Sequence, residues 1–99
     1  MNIQDMLTQA VQQRASDLHL SAGLPPMFRI DGSLCAASPQ VLSHEDILGA
    51  MRAVMSPLQL EHFEETLEAD FSFEVPGVSR FRVNAYHQIR GMSVAFRAI

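Results

Sequence analysis

Residues 70–98 alternate apolar and polar side chains in three successive segments, and this pattern restricts the chain to a fold that contains a sheet. An alternation with a period of two buries one face of a strand and exposes the other. Turns at Pro76-Gly77 and near Arg90-Gly91 separate the three segments. The pattern therefore predicts an antiparallel meander of three strands.

The register of this meander follows from its apolar face, because a buried side chain must lie beside buried side chains on the next strand. A slip of one residue would exchange the two faces. The expected cross-strand pairs are Phe71 with Val83, Phe73 with Phe81, Val83 with Phe96 and Ala85 with Val94.

The same register decides which charged side chains face one another on the polar side. Glu74 falls opposite Arg80, which predicts a cross-strand ion pair. Arg82 falls opposite Arg97, where like charges are destabilising. Asp70 lies diagonally within reach of Arg82, but the pair of arginines has no obvious partner on the sheet. Such a pair of forked cations indicates a visiting anion, with a plain structural role as the alternative.

The first part of the chain combines a helix with a hairpin. Residues 2–15 carry apolar side chains at i, i+3, i+4 and i+7 spacing, which predicts an amphipathic helix. Asp31-Gly32 separates residues 27–30 from residues 33–37 and is a strong signal for a tight hairpin turn, because both positions tolerate positive φ.

Between the helix and the hairpin, Leu18 and Leu20 alternate with Asp17 and His19, as in a half-buried strand. The acid and the imidazole then share the polar face. Two ligands are too few for a recognisable metal site, and no nucleophile motif accompanies them. A structural hydrogen-bonding role is the favoured interpretation, with a partner contact or chemistry as alternatives.

Two further helices are predicted in the middle of the chain. Ser43 and Asp46 open the first in the manner of a capping box. Ser56-Pro57 ends that helix and opens the next, with Gln59 completing the box. The side chains of this last helix that are expected to face the core are Leu60, Phe63 and Leu67.

Composition limits the class of protein. A hydrophobic content of 47% in 99 residues describes a single globular domain, and the lone Cys35 cannot form an internal disulfide, which favours a reducing cytosol. A formal net charge of −4 argues against general nucleic-acid binding. All seven basic residues are arginine. No signal-peptide pattern or apolar run of membrane-spanning length is present, so a soluble protein is expected.

Three separated stretches, "ASDLHLSAGLPPMFRIDG", "EADFSFEVPGVSRFRVNAYHQIRG" and "VAFRAI", closely resemble the N-terminal domain of type IV pilus retraction ATPases. The resemblance covers essentially the whole chain. It implies a PAS-like α+β domain over residues 1–99, with a mixed, mainly antiparallel sheet and amphipathic helices. In that family the domain precedes a RecA-like ATPase core, which has no counterpart in this chain.

The resemblance also implies cofactors and partners. ATP and Mg²⁺ belong to the full-length protein and none is expected in this fragment, which lacks a GxxxxGK[ST] loop and any lysine. The implied partners are its own ATPase core, the neighbouring subunits of a hexameric ring and, indirectly, the inner-membrane pilus platform. The implied location is the cytoplasm, or the periphery of the inner membrane at the pilus base.

Arginines on the late strands of this family's N-terminal domain reach the nucleotide phosphates. The arginines of "FRVNA" and "AFRAI" match that pattern, so the resemblance assigns the phosphate contacts to Arg82 and Arg97. Arg80 is expected to remain structural, satisfied by Glu74. The competing hypothesis is a free-standing PAS-like sensor that holds a small ligand in an apolar pocket beneath its sheet.

Overall fold

A single six-stranded sheet organises the computed structural model, which describes residues 1–99. Its strands are β1 (Asp17–Ser21), β2 (Met27–Ile30), β3 (Ser33–Ala36), β4 (Glu68–Val75), β5 (Ser79–Gln88) and β6 (Gly91–Ala98). They lie in the order β3-β2-β1-β6-β5-β4, and every pairing is antiparallel. The expected α+β class is confirmed, whereas the expectation of a mixed sheet is wrong, because the turns reverse the chain within β1–β3 and within β4–β6 and β1 also pairs with β6 in antiparallel fashion.

The predicted register of the C-terminal meander is confirmed at each expected pair. Phe73 lies opposite Phe81, and Val83 lies between Phe71 on one side and Phe96 on the other. The edge position of β4 leaves Phe71 and Phe73 only half-buried, whereas Phe81 and Phe96 are fully enclosed. The apolar alternation therefore specifies the pairing even where burial is incomplete.

The three helices are α1 (Ile3–Gln12), α2 (His44–Val54) and α3 (Pro57–Thr66). Both predicted capping boxes are present, at Ser43 with Asp46 and at Ser56 with Gln59. Leu67 does not face the core as expected. It adopts a left-handed conformation (φ 61°) immediately after α3 and remains exposed, because the helix must end before β4 begins one residue later.

One face of the sheet packs against the helices, and the other face is open. Buried apolar side chains of the strands and helices join in a single cluster, in which Leu7, Ile47 and Phe96 are fully enclosed. The alternate side chains of β5 are exposed, so no second layer covers the polar face there. This polar face carries most of the charged residues singled out from the sequence.

Two turns need backbone conformations with positive φ. Asp31 and Gly32 have φ values of 50° and 82° in the predicted hairpin between β2 and β3. Gly91 has a φ of 122°, and a Cβ atom at this position would lie 2.8 Å from Nδ1 of His44.

None of the three helices combines the length and apolar character that crossing a bilayer requires.

Candidate functional site: a row of arginines on the open sheet face

Four charged side chains form a continuous row across the middle of the open face. In strand order they are Arg29 on β2, Asp17 on β1, Arg97 on β6 and Arg82 on β5, each directly opposite the next. The predicted juxtaposition of Arg82 with Arg97 is confirmed. The antiparallel pairing of the first strand with the last adds Asp17 and Arg29 to the same row.

Arg82 is held by the carboxylate of Asp70 on the neighbouring strand β4. Its Nε donates to Oδ1 at 3.2 Å and its Nη2 donates to Oδ2 at 2.8 Å. The hydrogen bond from Arg82 lowers the pKa of Asp70, and the same bond raises the pKa of Arg82. The expected diagonal contact is confirmed, although both side chains remain substantially exposed at 67% and 49%.

Arg97 is held in the same manner by Asp17 on β1. Its Nε lies 3.4 Å from Oδ1 and its Nη2 lies 3.5 Å from Oδ2. The expectation that the two arginines lack partners is therefore wrong, because the partner of Arg97 comes from a strand distant in sequence. Burial raises the pKa of Asp17, but hydrogen bonds from Arg97 and Ser16, together with the charges of Arg97 and His19, outweigh it, so the pKa lies below its usual value.

Asp17 is the centre of a small ionic cluster. Its side chain is only 5% exposed, and its Oδ2 lies 3.3 Å from Nε2 of His19 and 3.8 Å from Nε of Arg29. Three cationic or potentially cationic groups thus surround one buried carboxylate, which is how proteins accommodate a charge away from water. Asp17 therefore lies on the polar face of the strand but is not exposed to solvent. The role of Arg29 was not found from sequence, since its only signal is the pairing of β2 with β1.

Glu74 and Arg80 lie opposite each other as expected, but their side chains form no ion pair. Both are exposed. An exposed pair gains little over hydration and loses side-chain freedom, so opposition alone does not bring the charges together. The predicted ion pair is wrong, and Glu74 does not satisfy Arg80.

Outside the row of arginines, three other features bear on possible sites: metal ligands, a surface groove and the apolar side of the sheet. No group of three or more His, Cys, Asp or Glu side chains comes together in a way that could hold a metal ion. An open groove of about 1070 Å³ lies between α3 and strands β4 and β5, with Glu61, Glu65 and Glu68 among its lining residues. The apolar side of the sheet is filled by the chain's own packed side chains, which disfavours a ligand-binding sensor.

Comparison with known proteins gives relatives along the whole chain. A type IV pilus retraction ATPase, PilT, of Pseudomonas aeruginosa is 50% identical over 99 residues, and a twitching motility protein of Neisseria gonorrhoeae is 36% identical over 92 residues. The chain covers 29% and 24% of these two proteins, so it spans less than a third of their length. No protein-family model matches the chain.

Solved structures agree with this relationship. The crystal structure of the pilus retraction motor PilT with bound ADP superimposes with a TM-score of 0.91 at 35% identity, covering all of this chain and 29% of that chain. The Legionella pneumophila ATPase DotB shares the fold, with a TM-score of 0.84 at 24% identity over 98% of this chain and 28% of its own.

Proposed function

We propose, on the premise that this chain belongs with the N-terminal domains of type IV pilus retraction ATPases, that it closes over a nucleotide held by an ATPase core. In this proposal Arg82 and Arg97 present their guanidinium groups to the nucleotide phosphates. The observation that carries it is the pairing of two exposed arginines on an open sheet face, in a chain whose 35%-identical structural neighbour binds ADP.

The chemistry of phosphoryl transfer fits such a role. Negative charge spreads over the phosphoryl oxygens in the transition state, and arginine can stabilise that charge with two parallel hydrogen bonds. Each of the two arginines already donates its Nε and Nη2 hydrogen bonds to a carboxylate, and neither uses Nη1 in any hydrogen bond. The unused edge supports the assignment to an external anion.

The remaining parts of the proposal concern the longer motor. Residues 1–99 form its PAS-like N-terminal domain, and a RecA-like core binds ATP with Mg²⁺. Six subunits assemble in a ring in the cytoplasm, peripheral to the inner membrane at the pilus base. The ring acts on the pilus platform and powers retraction. The fragment itself supplies no phosphate-binding loop and is expected not to hydrolyse ATP.

A chimera tests the proposal directly. This chain replaces the matching segment of the Pseudomonas aeruginosa relative, and steady-state ATP turnover is measured for Arg82→Gln, Arg97→Gln and the control Arg80→Gln. We expect kcat to fall about 10²-fold in each of the first two variants and to change little in the control, because a donor aimed at developing charge contributes about that much.

Near-normal turnover in both Arg82→Gln and Arg97→Gln, in rings that assemble like the parent, would reduce these residues to surface arginines. A comparable loss in Arg80→Gln would show that turnover follows the total positive charge of β5 and would contradict a specific role for Arg82. The 99-residue chain, assayed alone with ATP and Mg²⁺, serves as the baseline and is expected to show no turnover above buffer.

A further inference from the structure

The two facing arginines are held by carboxylates on opposite sides. Asp17 lies on β1, next to the strand of Arg97, and Asp70 lies on β4, next to the strand of Arg82. Neighbouring strands are about 4.8 Å apart, so each carboxylate draws its arginine away from the other one. The like charges that the cross-strand register brings together are thereby separated.

Both carboxylates bind the same edge of the guanidinium group of their arginine. In each case Nε and Nη2 donate to the two carboxylate oxygens, and Nη1 remains free. A guanidinium group carries five N–H donors in a rigid plane. Holding one edge therefore fixes the plane of the group and leaves its remaining donors unused on a largely exposed side chain. Without the carboxylate, a long exposed side chain would sample many rotamers.

We propose that Asp17 and Asp70 are positioning residues that set the guanidinium planes of Arg97 and Arg82 for contact with a polyphosphate chain. This inference rests on the proposed function, because it takes the phosphate as the anion that the two arginines meet. Asp70 is shared with no other cation, whereas Asp17 is buried and also lies near Arg29 and His19. Replacement of Asp70 is therefore expected to disturb few contacts other than its ion pair with Arg82.

The kinetic test uses the chimera with Asp70→Asn, the conservative variant Asp70→Glu and the control Glu74→Gln on the same strand and face. We expect Asp70→Asn to lower kcat about tenfold, by analogy with the loss of a hydrogen-bond partner that orients a metal ligand. KM for ATP is expected to stay within about twofold, because the core holds the nucleotide. Asp70→Glu is expected to recover part of kcat, and Glu74→Gln to match the parent.

A spectroscopic test on the 99-residue chain follows the arginine side chains themselves. We expect separate, exchange-protected Nε–H signals for Arg82 and Arg97 in NMR spectra. Asp70→Asn should remove the protection of Arg82 and spare Arg97, and Asp17→Asn should do the reverse. Asp70→Asn keeps the test decisive if Asp17→Asn fails to fold.

The outcomes separate this inference from the proposed function. A large loss of turnover in Arg82→Gln with unchanged kcat in Asp70→Asn would overturn the positioning role and leave the phosphate contact standing. Normal turnover in Arg82→Gln and Arg97→Gln would overturn the proposed function and, with it, the purpose assigned to the carboxylates. A rise in kcat for Asp70→Asn would show that Asp70 competes with phosphate and would also overturn the inference.

Discussion

Arg82 and Arg97 lie directly opposite each other, yet each is bonded to a carboxylate on the far side of its own strand. The two carboxylates differ in their surroundings. Asp70 is exposed and Asp17 is almost completely buried. Arginines with the same proposed role should therefore contribute differently to stability.

Arg97→Ala is expected to lower the melting temperature of this chain by about 4–8 °C, because it removes the closer of two arginines from a buried carboxylate. Arg82→Ala is expected to shift it by less than about 3 °C, since its ion pair is exposed. Circular dichroism during heating measures both variants. Repulsion between the facing arginines, taken alone, predicts neutral or stabilising effects in both, so equal melting temperatures would contradict the role of Asp17.

Acid should destabilise the chain through three carboxyl groups whose pKa values are lowered from 3.8 in the folded state, those of Asp17, Asp46 and Asp70. A depressed folded pKa stabilises the fold above the unfolded value and loses that contribution as the pH falls through the folded value. We expect the melting temperature to fall below about pH 4. Asp17→Asn should flatten part of that dependence, and an unchanged acid profile in this variant would contradict the assignment.

Replacement of Phe96 by alanine should cost about 3–5 kcal/mol in the free energy of unfolding, because its ring is completely enclosed beneath the sheet. Phe73→Ala is the matched control: the same side chain on the half-buried edge strand β4 should cost clearly less. Urea denaturation measures the difference. Equal costs would show that the edge strand is more tightly packed than its exposure indicates.

Gly91→Ala should destabilise the chain by about 1–3 kcal/mol, because its φ of 122° strains an L residue and the new Cβ meets His44 Nδ1 at 2.8 Å. Gly32→Ala introduces a strained φ of 82° without any neighbour within 4 Å and should cost less. His44→Ala, added to Gly91→Ala, should recover only the steric part of the loss. No recovery in the double variant would assign the whole effect to the backbone.

The meander could be predicted from sequence because its strands are consecutive and alternate strictly. Once Phe73 must meet Phe81, every polar pair on β4 and β5 follows, and once Val83 must meet Phe96, Arg82 falls opposite Arg97. The register predicts which charged residues lie opposite each other, but not which of them form ion pairs. Glu74 and Arg80 illustrate this difference, because solvent competes for both charges.

The ionic cluster around Asp17 could not be predicted from local sequence patterns. It depends on the pairing of β1 with β6, two strands that no turn connects. A polar residue next to Leu18 in an alternating strand indicates an exposed face, and only the neighbours on both sides make Asp17 a buried one. The prediction that Leu67 faces the core is wrong for the opposite reason. The helical spacing of apolar residues continues in the sequence past the residue at which α3 must end.

The pairing of β1 with β6 has a consequence for how the chain is made. Asp17 and Arg97 are 80 positions apart, and their strands join the two halves of the sheet. Contacts between such distant positions form late, because a long loop must close before they can be made. During synthesis, the hairpin of β2 and β3 and the capped helices can form early. The sheet itself becomes continuous only after β6 has left the ribosome, and until then β1 exposes one unpaired edge to the cell.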